Sequence, residues 1–341
     1  MTIKELKIKG YKSIGEITLH SPNPFTVFVG ANGAGKSNIF EALEFFNYCN
    51  LFHPVEAIKF FGNFEDIVNK SNSNTDLSIE FNVDLGGVKP RFHLRPKMVN
   101  GSLSFGNFSF SDYGESYRNS FNNGLETSKS FHVEEYFQLT KFTRLFIGKQ
   151  NKINTVNDVQ LAFGASNLES VLKRIFRKGE IKAEIIEILQ LLIPEFESID
   201  IVAEELSGTD NLAIYEKTLK KPLTKRLISD GTYNILAILA AIYQSDTPQF
   251  LCIEEPENGL NPKVVRELVN IIRTQCTEKG HYIWLNTHSQ TLVSELRPEE
   301  IILVDKVNGM TQTKQVTDVD LHGLRMDEAL LTNSLGGGIP W

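Results

Sequence analysis

The stretch Gly30-Ala31-Asn32-Gly33-Ala34-Gly35-Lys36-Ser37-Asn38 sets glycines, an amine and a hydroxyl at the spacing a phosphate-binding loop requires. Glycines let the backbone wrap an anion, so that several N–H groups and the start of the next helix face it. In such a loop Lys36 reaches the β- and γ-phosphates and Ser37 turns its hydroxyl to Mg²⁺. A polyphosphate with Mg²⁺ is the expected ligand, and Asn32, Gly33, Gly35, Lys36, Ser37 and Asn38 are the binding candidates. Two carboxylates stand far along the chain, Glu254 and Glu255, where an apolar run ends. Adjacent residues leaving a strand point in different directions and take different jobs. Glu254 is assigned to the Mg²⁺ shell and Glu255 to orienting or deprotonating the attacking water, the two functions phosphoryl transfer needs. His288, after a further apolar run, is a candidate γ-phosphate contact.

Each of these residues needs a strand or helix to place it. Phe25 to Val29 is an apolar strand leading into the glycine loop, and Ile39, Leu43 and Phe46 recur at helical spacing after it. Phe250 to Ile253 and Tyr282 to Leu285 are continuous apolar runs of the kind buried in a parallel sheet. Asn261-Pro262 caps and starts a helix that Gly280 ends. Tyr233 to Tyr243 is apolar nearly all round, as expected of a helix buried beneath a sheet.

The remaining segments frame this core. Residues 3–9 and 14–19 alternate as strands, with Lys4, Lys7, Lys9 and Lys12 on a solvated face. Residues 77–85 alternate without a break, Gly86-Gly87 turns the chain into a partner strand with Phe92 and Leu94, and Asn100-Gly101 turns it again, which predicts an antiparallel β lobe. The Ser/Asn/Gly-rich stretch 111–130 reads as a loop. Residues 142–147 form a strand returning to the core, ending at Gly148-Lys149-Gln150. Ser166 and Glu169 form a capping box that opens one helix, and a second runs over 180–193. These divisions predict one domain over 1–341: a first lobe over 1–150 with the β insertion at about 77–140, a helical insertion at about 160–195, a second lobe over about 196–310, and a terminal strand, helix and tail over 311–341.

Composition narrows the function classes. A formal net charge of −7 argues against a surface that coats nucleic acid generally, although a local basic groove stays open. No apolar run approaches the roughly 18 residues a membrane span needs. Cys49, Cys252 and Cys276 form neither a disulfide framework nor a metal pattern, and the first residues lack an apolar signal core, so a cytoplasmic location is expected.

The glycine loop, Ser229-Asp230-Gly231-Thr232, the run Ile253 to Pro262 (Ile-Glu-Glu-Pro-Glu-Asn-Gly-Leu-Asn-Pro) and Asn286-Thr287-His288-Ser289 together resemble the ABC-type ATPases of the SMC/RecF/OLD group. The nearest resemblance is to stand-alone AAA-family ATPases of prokaryotic abortive-infection and anti-phage systems. It implies an α/β P-loop NTPase fold: an ABC ATPase head, SMC/RecF-like, with an antiparallel β lobe and a short helical insertion. By the same resemblance Ser229 and Gly231 belong to a signature motif that touches the γ-phosphate of ATP held by the opposite protomer. Asn258, Gly259 and Leu260 match the D-loop, His288 the switch histidine, and Gln150 is the candidate Q-loop metal ligand. A head-to-head homodimer follows, with two ATP molecules between protomers.

The activity implied is ATP hydrolysis driving a switch that holds or releases an effector protein, such as a nuclease or toxin. The alternative is a RecF-like ATPase that clamps DNA. A transporter subunit is disfavoured because the signature reads Ser-Asp-Gly-Thr rather than Ser-Gly-Gly-Gln. The short stretch after His288 leaves no room for the Toprim domain of OLD nucleases, so nuclease chemistry is not expected in this chain.

Overall fold

Strands buried on both faces dictate the centre of the molecule. In the computed structural model, β3 (Phe25–Val29) sends Val27 and Val29 into one core and Phe28 into another, on the opposite face of the sheet. β13 (Phe250–Glu254) does the same with Leu251 and Ile253 against Phe250 and Cys252, and β14 (Tyr282–Thr287) with Ile283 and Leu285 against Tyr282 and Trp284. Such strands must be covered on both sides, which is why they read as continuous apolar runs. The structure describes residues 2–52, 54–71, 77–84, 91–99, 102–106, 108–112, 115–119, 141–149, 158–203, 210–317, 321 and 323–337.

β14 pairs in parallel with β3 on one side and β13 on the other, and β13 pairs in parallel with β9 (Phe142–Leu145). On the far side of β3, β15 (Ile301–Val307) runs parallel to it and turns back antiparallel as β16 (Met310–Gln315). β16 meets β2 (Ile14–His20), and the sheet continues antiparallel through β1 (Thr2–Tyr11), β4 (Ser78–Asp84), β5 (Arg91–Val99) and β6 (Ser102–Gly106). The expected hairpins are present as paired strands, with Ile79 opposite Leu94 in register. The turns Gly86-Gly87 and Asn100-Gly101 lie outside the described residues.

Helix α1 (Lys36–Leu51) follows the glycine loop and packs with β1 and β4 on one face of the sheet, its Phe40 edge-on to Phe28, which in turn meets Trp284. Two short helices, α2 (Pro54–Lys59) and α3 (Phe64–Ile67), follow it. The opposite face is covered by α4 (Leu168–Ile175), α5 (Gly179–Leu192), α6 (Asp230–Tyr243) and α7 (Pro262–Lys279). α6 buries residues all round, from Asn234 to Tyr243. A separate small sheet, β10 (Phe196–Ala203), β11 (Asp210–Glu216) and β12 (Leu223–Thr224), stands beside α4 and α5. Short α8 (Gln290–Val293) follows β14, and α9 (Met326–Leu331) packs against it.

Two expectations are corrected. Within the 111–130 stretch read as a loop, Glu115–Asn119 form strand β8, paired antiparallel with β7 (Phe108–Asp112). Polar composition suits a loop, but a partner strand in register satisfies the same backbone groups. Secondly, α4 is preceded by Asn167 at the N-cap position rather than Ser166. The Asn167 side chain turns away from its helix, accepting from the Ala162 amide at 2.8 Å and donating to the Gln160 carbonyl at 2.9 Å, so it braces the preceding turn.

Several basic side chains are locally paired. Lys7 sits 2.8 Å from Glu16, Lys12 2.5 Å from Glu41, and Lys173 2.6 Å from Asp210, while Lys178 meets Asp246. Among the described residues no helix is long and apolar enough to cross a membrane.

Candidate functional site

The glycine loop joins β3 to α1 in the order strand, loop, helix. Gly35 occupies the N-cap of α1 with φ of 106°, which an L side chain rarely adopts, and no acidic residue lies in the helix's first turn. A helix N-terminus without its own carboxylate is suited to an anion. At Gly33, with φ of 80°, an added Cβ would meet nothing within 4 Å, so the loop is open on that side. Gly30 and Gly35 are closed in instead: a Cβ there would collide with the Val304 carbonyl and the Thr311 hydroxyl, respectively. The Asn38 amide donates to Ser13 Oγ at 2.6 Å, Ser13 contacts Thr311 Oγ1, and Thr311 donates to the Ala34 carbonyl at 2.8 Å. Asn38 therefore ties the loop to the β1–β2 turn and β16.

Lys36 is 6% exposed, and its ammonium donates to the Gly30 and Ala31 carbonyls at 2.6 and 2.9 Å. Burial lowers its pKa, countered by Glu255, Glu257 and Glu254. A nearby anion would remove that penalty by pairing the charge.

Glu254 at the end of β13 meets this loop directly. Ser37 Oγ donates to its Oε2 at 2.5 Å, and the Asn286 amide donates to the same oxygen at 3.1 Å. Its other oxygen, Oε1, accepts from Arg144 Nε at 2.6 Å. Glu255 leaves the strand in the left-handed region, φ 47°, a strained conformation for a residue other than glycine. Its backbone amide donates to the Asn286 carbonyl at 3.0 Å, Asn258 Nδ2 donates to its Oε2 at 2.9 Å, and its Oε1 lies 3.7 Å from His288 Nδ1. The two carboxylates thus face different neighbours. Next to them Thr287 Oγ1 donates to Glu257, whose carboxyl is pushed up by burial.

Ser229 and Gly231 are placed elsewhere on the same unit. Ser229 caps α6, its Oγ accepting from the Thr232 amide at 3.1 Å. Gly231 packs so closely on Gly259 that a Cβ would collide with the Gly259 carbonyl oxygen and lie 3.4 Å from Leu260 Cδ2. Asn234, one turn on and 4% exposed, donates from Nδ2 to the carbonyls of Pro256 at 3.0 Å and Asn258 at 2.8 Å. The start of α6 and the 255–260 loop are therefore one packed body. Gln150 lies outside the described residues.

The structure thus brings together Lys36, Ser37, Glu254, Glu255 and His288, residues separated by up to about 250 positions in sequence. It adds Arg144, Glu44 and Asn234, none of which has a motif of its own, and gives Asn286, part of the Asn286–Ser289 run, a contact with Glu254. Asn286 was within reach, because it stands at the end of the strand parallel to β13; Arg144 and Asn234 show themselves only through pairing. The donor set of a hydroxyl and a carboxylate beside an open glycine loop fits Mg²⁺ and a polyphosphate.

Residues 25–294 match the family model described as "AAA domain, putative AbiEii toxin, Type IV TA system". A 145-residue stretch is 27% identical to a putative ABC transporter ATP-binding protein of Pyrococcus horikoshii, covering 38% of this chain and 55% of that protein. A similarly described protein of Pyrococcus abyssi is 36% identical over 78 residues, 23% of this chain and 29% of its own length. The chain thus matches about half or less of the length of these curated relatives. Among solved structures, an Smc head bound to the C-terminal winged-helix domain of ScpA superposes with a TM-score of 0.60 at 17% identity, covering 92% of this chain and 96% of that one. The SMC head domain from Thermotoga maritima gives 0.52 at 14% identity, over 93% and 100% of the two chains. The fold is that of an SMC-type ABC ATPase head.

Proposed function

Because the chain belongs to the AAA-domain family described as putative AbiEii toxin, type IV TA system, and has the fold of an SMC-type ABC ATPase head, we propose that it hydrolyses ATP between two copies of itself. The observation that carries this reading is the 2.5 Å bond from Ser37 to Glu254, which joins the phosphate loop to the end of β13 with Glu255 and His288 alongside.

In this reading the open side of the glycine loop, the start of α1 and Lys36 take the phosphates, and Lys36 exchanges its two carbonyl partners for phosphate oxygens. Ser37 and Glu254 would hold Mg²⁺, and when bound the ion would supply positive charge against that of the phosphates. Glu255 accepts a proton from water as the water oxygen bonds to the γ-phosphorus and the bond from phosphorus to the bridging oxygen breaks, leaving ADP and inorganic phosphate. Asn258 fixes the Glu255 carboxylate, and His288 donates to the γ-phosphoryl oxygens. Ser229 and Gly231 complete the site of the partner protomer.

ATP binds the closed dimer more tightly than the open one, and that difference is the free energy available to a switch. Two of the solved Smc heads carry a domain of ScpA, a bound partner protein. We take the analogous role here to be control of an effector, a nuclease or toxin, in cytoplasmic anti-phage defence. Pairing of Lys7, Lys12, Lys173 and Lys178 with carboxylates supports this over a DNA clamp, since those charges are already partly neutralised.

The test is Glu255→Gln. It is expected to bind ATP as the wild type does, to lose turnover and to run as a dimer by light scattering when ATP and Mg²⁺ are present. Turnover near the wild-type rate would remove Glu255 from the reaction.

A further inference from the structure

Glu254 has no freedom in this structure, and one residue outside every motif accounts for half of that. Arg144 sits on β9 directly opposite Cys252 in the parallel register, two positions before Glu254 on the neighbouring strand. Its side chain reaches along the sheet to Glu254 Oε1, with Nε and NH2 both at 2.6 Å. Its remaining nitrogen, NH1, donates to Glu44 Oε2 on α1 at 2.9 Å, and the guanidinium lies over the Phe163 ring, 5.0 Å from its centroid. The three charged side chains are 9%, 1% and 17% exposed for Arg144, Glu254 and Glu44. The planar guanidinium therefore fixes one carboxylate edge-on while a second anchors it to the helix that begins at the glycine loop.

A stability role alone accounts poorly for this arrangement, because a buried ion pair is commonly no more stabilising than apolar residues of the same volume. What the pair does provide is orientation. With Oε1 held by Arg144, Oε2 is the oxygen left to face Ser37, and Asn286 holds it there. Glu44 extends the tether to α1, so Arg144 adds a second link, beside that of Ser37, between the loop-bearing helix and the end of β13.

We propose that Arg144 is a positioning residue for the metal shell: by bridging Glu254 and Glu44 it presents Glu254 Oε2 to the cation that Ser37 shares. The proposal rests on the reading of Ser37 and Glu254 as the Mg²⁺ site. Groups that orient metal-shell carboxylates typically carry 10- to 100-fold in metal affinity or activity.

The experiment measures equilibrium binding of a fluorescent, non-hydrolysable ATP analogue to the full chain, once with Mg²⁺ and once with EDTA, for wild type, Arg144→Met and Arg144→Lys, with thermal unfolding in parallel. The wild type binds more tightly with Mg²⁺. In Arg144→Met that Mg²⁺-dependent gain is expected to shrink by about tenfold or more while affinity in EDTA stays at the wild-type value. Arg144→Lys, whose single ammonium cannot hold both carboxylates with the same geometry, is expected to lie between, and it carries the test if Arg144→Met does not fold. A Mg²⁺-dependent gain equal to or above the wild-type one in the variant that folds, whatever its melting temperature, would overturn the proposal and leave Arg144 a structural ion-pair partner. Failure of the wild type to bind the analogue in either condition would instead overturn the nucleotide-site reading itself.

Discussion

Replacing Asn234 with leucine tests the link between the signature segment and the carboxylates. The side chain is 4% exposed, and its amide donates to the Pro256 and Asn258 carbonyls at 3.0 and 2.8 Å. Leucine keeps the volume but leaves both carbonyls without their donor. Each lost bond removes about 1 kcal/mol, and a buried acceptor left unpaired costs about 1–3 kcal/mol, so a total of about 2–4 kcal/mol is expected once the loop relaxes. For a chain of 341 residues that corresponds to a fall in Tm of about 3–6 °C. The loop that relaxes carries Asn258, the donor to Glu255 Oε2. Displacement of a catalytic carboxylate by even a fraction of an ångström lowers turnover, so kcat is expected to fall about tenfold. ATP affinity is expected to stay within a few-fold, because Lys36 and Ser37 belong to the β3–α1 loop, which neither carbonyl bond touches. The assays are scanning calorimetry and steady-state phosphate release across ATP concentrations. If Asn234→Leu melts with the wild type and turns over ATP at the same kcat, the two carbonyl bonds do not couple α6 to Glu255.

Other substitutions separate steric from conformational demands. Gly35→Ala combines φ of 106° with a collision against Thr311 and Ser13, and abolition of nucleotide binding is expected in a fluorescence titration. Gly33→Ala has open space and only a left-handed φ to strain it, a cost of about 1–2 kcal/mol, so binding persists at reduced affinity. His281, fully buried, has its pKa lowered to about 4 by burial and by Lys279. The unfolded ring takes up a proton below its ordinary 6.5 while the folded one does not until near pH 4, so about 3 kcal/mol of stability is lost as pH falls across that window and none above it. In His281→Leu that part of the acid dependence of Tm is expected to vanish; a variant whose Tm falls with acid as steeply as the wild type's would assign the slope to other groups.

The parallel core was legible because its strands are buried on both faces and therefore apolar without alternation, as Phe250 to Ile253 and Tyr282 to Leu285 show. Ends of such strands carry the polar residues that face a ligand, which is why Glu254, Glu255 and His288 stood out before any contact was known. The N-cap of α7 at Asn261 was legible for the same local reason, a capping side chain followed by proline. Interactions set by register were not legible. Arg144 and Glu254 are neighbours only because β9 lies parallel to β13, and nothing in the residues around Arg144 announces that pairing. Asn234 sits in an apolar helix, where a lone amide reads as an exception until the Pro256 and Asn258 carbonyls are placed opposite it. Ser166 satisfied a local capping rule, yet the turn before α4 drew on Asn167 instead, since the Ala162 amide and Gln160 carbonyl needed a partner.

The central claim is that each catalytic site draws Lys36 from one protomer and Ser229 from another. Lys36→Ala removes the phosphate ammonium from both sites of a dimer, and Ser229→Arg blocks both signature contacts, so each variant alone is expected to be inactive. Mixed in equal amounts and allowed to exchange, they form heterodimers with one intact site, and ATP turnover of about a quarter of the wild-type rate is expected for random two-fold pairing. Turnover of the mixture no greater than the sum of the two variants alone, with exchange confirmed by light scattering of differently tagged chains, would contradict the shared site.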